Sequence, residues 1–139
     1  MKKILLLIAL LLPTQVLANP YNYKVVRVVD GDTVIVEANW LPAELGNTIS
    51  LRVLGIDTPE KAPRAKCSSE AALGTKATEY AKSLIKPGQI VQVNLKGWDK
   101  YGGRADASIT INGKDFGQMQ IAAGLAKPYD GGTKQSWCK

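Results

Sequence analysis

Residues 49–60 constrain the chain more than any other stretch. Ile49, Leu51 and Val53 alternate with Ser50 and Arg52, the period-two pattern of a strand with one face in a core. Arg52 therefore projects from the opposite face. Gly55 and Pro59 end the strand and leave Asp57 and Glu60 in a loop just past it. Two acids with a guanidinium shortly upstream, at one strand end, make a place for a metal ion and a phosphate.

Residues 1–18 have the features of a secretory signal: Lys2 and Lys3, an apolar run over 4–12, and small residues in Val16-Leu17-Ala18 suited to cleavage. The run is shorter than the roughly 20 apolar residues a bilayer requires, and Pro13 ends it. The mature chain is expected to start near Asn19, to be periplasmic or secreted, and to leave no segment in the membrane. Residues 19–139 suffice for one domain and are too few for two, and a monomer is expected. Removing Lys2 and Lys3 takes the basic count from 18 to 16 against 12 acids, and the net charge from +6 to +4. That excess suits a polyanionic partner and suits plain solubility equally well.

Cys67 and Cys138 are the two cysteines, and in an oxidising compartment one disulfide between them is the simple expectation. The chain has no histidine. That excludes Ser-His-Asp and Cys-His nucleophilic catalysis and any histidine-bound zinc. Chemistry must rest on carboxylates, arginine, lysine, tyrosine or a metal held by oxygen.

Strands are expected over 23–29 and 33–37, joined by the Asp30-Gly31-Asp32 turn, and over 49–55, 90–96 and 104–111. A helix is expected over 67–85, with Ser68 available as N-cap and Leu73, Ala77, Tyr80, Ala81 and Leu84 at helical spacing. Asp115 and Gln118 have capping-box spacing for a second helix, with Phe116, Met119, Ala122 and Ala123 on its buried face. Five strands with a helix after the third match an α+β chain dominated by β, built as a five-stranded Greek-key barrel of the OB type with two main helices. A flat α+β sheet fits the same pattern nearly as well.

Asp30-Gly31-Asp32-Thr33 alone reads as a hairpin turn, and Asp57-Thr58-Pro59-Glu60 alone as a turn before a helix. Together they offer carboxylate, hydroxyl and carbonyl oxygens, which makes calcium the first metal to propose. Arg52 and Arg104 each sit at a strand end beside an acid-bearing loop. Forked guanidinium donors match the charge that gathers on the equatorial oxygens when water attacks a phosphodiester, and Glu60 is placed to activate that water.

Asp30-Gly31-Asp32-Thr33, Arg52, Ile56-Asp57-Thr58-Pro59-Glu60, Asp99-Lys100-Tyr101-Gly102 and Gly124-Leu125-Ala126-Lys127 resemble, in order and spacing, the staphylococcal nuclease family. The resemblance implies an OB-fold nuclease that cuts DNA and RNA with calcium and leaves 3′-phosphate ends. It implies Asp32 and Asp57 as metal ligands through carboxylates, Thr58 through its carbonyl, and Glu60 near the attacking water. Arg52 and Arg104 would hold the phosphate, with Lys100 and Tyr101 beside the nucleotide. Two departures stand out. Gly103 intervenes before Arg104, a one-residue slip that a bulge at Gly103 would absorb, and the family's third helix has no counterpart before Trp137-Cys138. A silent OB-fold module that grips polyanions is the alternative, although three clustered acids would weaken a pure binder. A calcium-stabilised structural domain is the third reading.

Overall fold

The strand containing Arg52 closes a barrel. In a computed structural model that describes residues 21–139, β1 (Tyr21–Asp30) pairs antiparallel with β2 (Thr33–Glu37), and β2 with β3 (Thr48–Val53). On its other side β1 pairs with β5 (Ile90–Trp98), which pairs with β6 (Arg104–Ile111). A parallel pairing of β3 with β6, Leu51 opposite Ala105, shuts the ring. The flat-sheet alternative is thereby set aside: the architecture is a closed five-stranded barrel of the OB type, mostly β, with two helices. The signal-sequence reading lies outside the described residues.

Alternation explains the closure. In β6, Ala105, Ala107, Ile109 and Ile111 are buried while Arg104, Asp106, Ser108 and Thr110 are partly exposed. Val34, Val36, Leu51, Val53, Val91 and Val93 do the same from the other strands. Burying each Val, Leu or Ile among them contributes about 1.5–3 kcal/mol, and a ring leaves those five strands no open edge.

Three short strands complete the fold: β4 (Ile56–Asp57), β7 (Lys114–Asp115) and β8 (Lys127–Pro128). β4 and β8 pair with each other, Asp57 opposite Lys127. Asp57 thus lies in a short paired strand, where the sequence led us to expect a loop. The two φ-positive glycines Gly102 and Gly103 form the tight turn before β6, and the register shift falls across the ladder between Leu95 and Gly97. No bulge falls at Gly103, which lies in that turn, before β6 begins at Arg104.

The helix α1 (Ser68–Leu84) packs against β1 and is capped by Cys67, whose sulfur accepts the Glu70 N–H at 3.4 Å. Cys67, and not Ser68, is therefore the N-cap. Glu70 in turn accepts the Lys66 N–H at 2.6 Å. Its buried face is Gly74, Ala77, Thr78 and Ala81, with the expected Leu73, Tyr80 and Leu84 only half-buried beside it. Small residues on that face admit two loops at close range. A Cβ on Gly74 would collide with the Glu60 carbonyl, and one on Gly31 would lie 2.8 Å from the Ala77 Cβ. The second helix, α2 (Phe116–Ala122), buries Phe116, Gly117 and Gln120. Of the other residues expected inside, Met119 is half-buried, and Ala122 and Ala123 are exposed where the helix ends, Ala123 as its C-cap. Cys67 and Cys138 form the disulfide, 71 positions apart, and tie the irregular C-terminal tail to the start of α1.

Candidate active site

The turn between β1 and β2 and the end of β3 meet through hydrogen bonds. Val53 N–H donates to the Asp32 carbonyl at 2.8 Å. The Asp32 side chain is buried and accepts from Arg52 NH1 at 2.7 Å and from the Thr58 hydroxyl at 2.8 Å, both at Oδ2, and from the Thr33 hydroxyl at Oδ1. Burial, the largest influence, raises the Asp32 carboxyl from an ordinary 3.8 to about 6; Arg52 and the Thr58 hydroxyl oppose the rise and Asp30 adds to it. The single guanidinium does not offset the loss of water.

Arg52 is held in place by more than Asp32. NH1 also donates to the Val53 carbonyl at 3.1 Å and NH2 to the Ile56 carbonyl at 3.2 Å. Its side chain is only 15% exposed, so its fork is oriented before any ligand arrives. Arg104 donates through Nε to Asp99 Oδ2 at 2.8 Å, and Asp99 Oδ1 accepts the Tyr101 N–H. Arg52, Arg104, Lys100 and Tyr101 line one cleft of about 650 Å³. Tyr101 is among the most exposed aromatic residues, with the Lys100 ammonium 5.0 Å from its ring centre.

Asp57 and Glu60 have other partners. The buried Asp57 carboxylate accepts from Trp137 Nε1 at 3.1 Å and meets Lys134 Nζ at 3.1 Å, both from the C-terminal tail. It lines a second cavity of about 400 Å³, which shares Gly55, Tyr129 and Asp130 with the first. Glu60, partly exposed, lies 3.4 Å from Arg64 NH2, which also stands 3.7 Å from Asp30. The structure thus brings Asp32, Arg52 and Thr58 into contact, lines one cleft with Arg52, Arg104, Lys100 and Tyr101, turns Asp57 toward the tail and pairs Glu60 with Arg64.

Three residues that sequence reading passed over belong to this region. Gln120, fully buried, donates from Nε2 to the Gly31 carbonyl at 2.9 Å and the Ala77 carbonyl at 3.0 Å, which ties the acidic turn to both helices. Its Oε1 is buried without a hydrogen-bond partner among the described residues. Trp137 and Lys134 grip Asp57 from the tail; the indole's place next to Cys138 was the available signal that it is tethered.

Among the described residues no three Asp, Glu, Cys or His side chains converge on one point. The donor chemistry nonetheless fits a hard cation: there is no histidine, both cysteines are in the disulfide, and Asp32 is a buried carboxylate whose charge is under-compensated. Carboxylate and carbonyl oxygens with water suit calcium or magnesium, not zinc.

A family profile described as "Staphylococcal nuclease homologue" matches residues 50–136, which take in Arg52, Asp57, Glu60, Arg104 and Trp137. Over 112 residues the chain is 30% identical to the protein named Thermonuclease of Staphylococcus hyicus, covering 79% of this chain and 60% of that one. It is 30% identical over 114 residues to Endonuclease YhcR of Bacillus subtilis, covering 78% of this chain and 9% of that protein. It is 28% identical over 130 residues to an uncharacterized endonuclease of Escherichia coli O157:H7, covering 94% of this chain and 75% of that one. The chain therefore spans less than two thirds of the length of the first two relatives.

Proposed function

The chain belongs to the staphylococcal nuclease family, and from that premise we propose that it is a calcium-dependent nuclease that hydrolyses DNA and RNA to 3′-phosphate products. The observation that carries the reading is the buried Asp32–Arg52 contact at the wall of a cleft that Arg52 and Arg104 share. A guanidinium fixed by a carboxylate and two carbonyls needs no reorganisation to meet an anion.

In this reading the phosphodiester enters the cleft and is held by Arg52 and Arg104, with Lys100 at a neighbouring phosphate and Tyr101 against a base. Glu60 takes the proton of the attacking water. Its partner Arg64 is 70% exposed, and so open a pair is worth little and readily exchanges. Asp32 and Asp57 through carboxylates, and Thr58 through its carbonyl, would hold calcium, which when bound supplies charge neutralisation at the phosphate. The two arginines stabilise the charge that develops on the equatorial oxygens. Export to a periplasm or the medium, and a monomeric state, belong to the same proposal; the disulfide is in keeping with an oxidising compartment, and no helix among the described residues is long and apolar enough to cross a membrane.

One observation favours a second reading, a silent module that binds polyanions: Asp57 and Glu60 are both engaged by basic side chains. Incubating residues 19–139 with single-stranded DNA and with RNA, in calcium, in magnesium and in chelator, separates the two. Cleavage of both substrates in calcium that stops in chelator supports the enzyme. Binding without cleavage in every condition makes it the silent module.

A further inference from the structure

The C-terminal tail supplies a cation of its own to the acidic strand. Lys134 Nζ stands 3.1 Å from Asp57 Oδ1, while the other carboxylate oxygen accepts the Trp137 indole N–H. Asp57 is nearly inaccessible, with a side chain 7% exposed, whereas Lys134 is 51% exposed. An ionised carboxylate so buried requires a counter-charge, and among the described residues Lys134 is the ammonium within ion-pair distance. The tail bearing it is anchored on both sides. Upstream, Lys127 pairs with Asp57 across the β4–β8 ladder and donates to the Ser136 carbonyl at 2.7 Å. Downstream, Cys138 is bonded to Cys67. Lys134 also lines the cleft of Arg52 and Arg104, so one ammonium borders both the carboxylate and the phosphate cleft.

We propose that Lys134 is a tethered competitor cation: it neutralises Asp57 until a divalent cation takes that carboxylate, and the displaced ammonium then turns into the cleft to contact substrate phosphate. The inference rests on Asp57 being a metal ligand, as proposed above. A long flexible side chain with a strongly hydrated head is suited to such exchange, because its charge finds water or phosphate a few ångströms away. The anchoring on both sides keeps Lys134 within reach whichever partner it holds. The arrangement links the two halves of the site, since loading of the cation frees one more positive group for the anion.

The test compares wild type with Lys134→Met and Lys134→Arg in two measurements, neither of which reads turnover. Calcium titration by calorimetry, checked by terbium luminescence, should show at least about fivefold tighter binding for Lys134→Met, because a charge-assisted contact no longer has to be broken. Lys134→Arg, which keeps the competing charge, should stay near wild type. In a Glu60→Gln background with saturating calcium, the salt dependence of single-stranded oligonucleotide binding should lose about 0.7 from its logarithmic slope on Lys134→Met. In chelator the slope should not change, since Lys134 is then held by Asp57. Equal or weaker calcium binding by Lys134→Met overturns the competitor role, and a slope change that does not depend on calcium overturns the exchange. A wild type that binds neither calcium nor terbium overturns both this inference and the calcium-dependent reading on which it rests.

Discussion

Arg52 NH1 lies 2.7 Å from Asp32 Oδ2, and the two residues, 20 positions apart in sequence, meet because Arg52 faces Thr33, the residue after Asp32, in the β2–β3 ladder. The ladder register puts the guanidinium at the acidic turn. Because Arg52 also donates to the carbonyl of Val53, the last residue of β3, and to that of Ile56 in β4, it serves at once as the counter-charge of Asp32 and as the clasp between β3 and β4.

Replacing Arg52 by Ala should therefore affect two separable quantities. In the transition state it removes a preorganised donor, so kcat/KM on single-stranded DNA should fall by at least about tenfold and as much as about a thousandfold. In the folded state it leaves Asp32 buried beside Asp30 without its main opposing charge, and the Asp32 carboxyl should titrate still higher than in wild type. Steady-state kinetics together with carboxyl titration by NMR would check both. A wild-type rate would return Arg52 to the status of a structural clasp.

Asp32 also sets a pH dependence. Its folded carboxyl is raised from 3.8 to about 6, so the folded chain holds that proton more tightly than the unfolded chain. The resulting contribution to stability is fully present below about pH 4 and is lost as pH rises through about 6. The loss is on the order of 2–3 kcal/mol. In chelator, the urea midpoint of wild type should decline from pH 4 to 7 relative to Asp32→Asn, which has no proton to lose. Added calcium at pH 7 should raise the wild-type midpoint, through binding to the ionised form, and should not raise that of Asp32→Asn to the same extent.

The strands and turns of the barrel were legible because their signals are local, whereas the β3–β6 pairing that closes it is not. Alternation over 49–53 and 104–111, the Asp-Gly turn and the glycine pair before Arg104 each state their geometry within a few residues. The partners of the acids were not. Glu60 sits three positions from Asp57, yet its carboxylate meets Arg64 at i+4 and its carbonyl is pressed against Gly74. Gln120 reads as an ordinary polar position in a helix, since the carbonyls that define it lie 89 and 43 residues away. Trp137 reaches Asp57 across 80 residues. What fixes these residues is barrel closure and a cross-link, which no window of sequence contains.

Gly74→Ala sets two effects of opposite sign against each other. Alanine gains about 1 kcal/mol of helix propensity in the interior of α1. Its Cβ, however, would collide with the carbonyl group of Glu60 and with the Lys61 nitrogen, and backbone cannot rotate away as a side-chain tip can. The clash should win, displacing residues 58–61 from α1 at a net cost of about 1–3 kcal/mol. The catalytic consequence should exceed the stability loss, because Glu60 moves with the loop. A urea midpoint and a kcat measured well below the unfolding transition would separate the two, and a stabilised, fully active variant would show that the loop yields at no cost.

Removal of the cross-link is the last test. The disulfide closes a long loop, with its cysteines 71 positions apart, and the Cys67→Ser/Cys138→Ser variant should lose about 2–4 kcal/mol through the unfolded state. If that were all, its rate at low temperature, where the chain is still folded, would match wild type. The tail does more than restrain the unfolded chain, since Trp137, adjacent to Cys138, holds the Asp57 carboxylate. The double variant should therefore also bind calcium more weakly and turn over more slowly while folded. Trp137→Phe keeps the disulfide and a ring for Lys127, whose ammonium stands 4.2 Å from the Trp137 ring centre, but removes the indole N–H, so it should reproduce the weaker calcium binding with little of the stability loss. Calcium titrations and urea midpoints on the two variants side by side distinguish a cross-link that merely stabilises from one that also orients a carboxylate: normal calcium affinity in Trp137→Phe would leave the disulfide a purely entropic role.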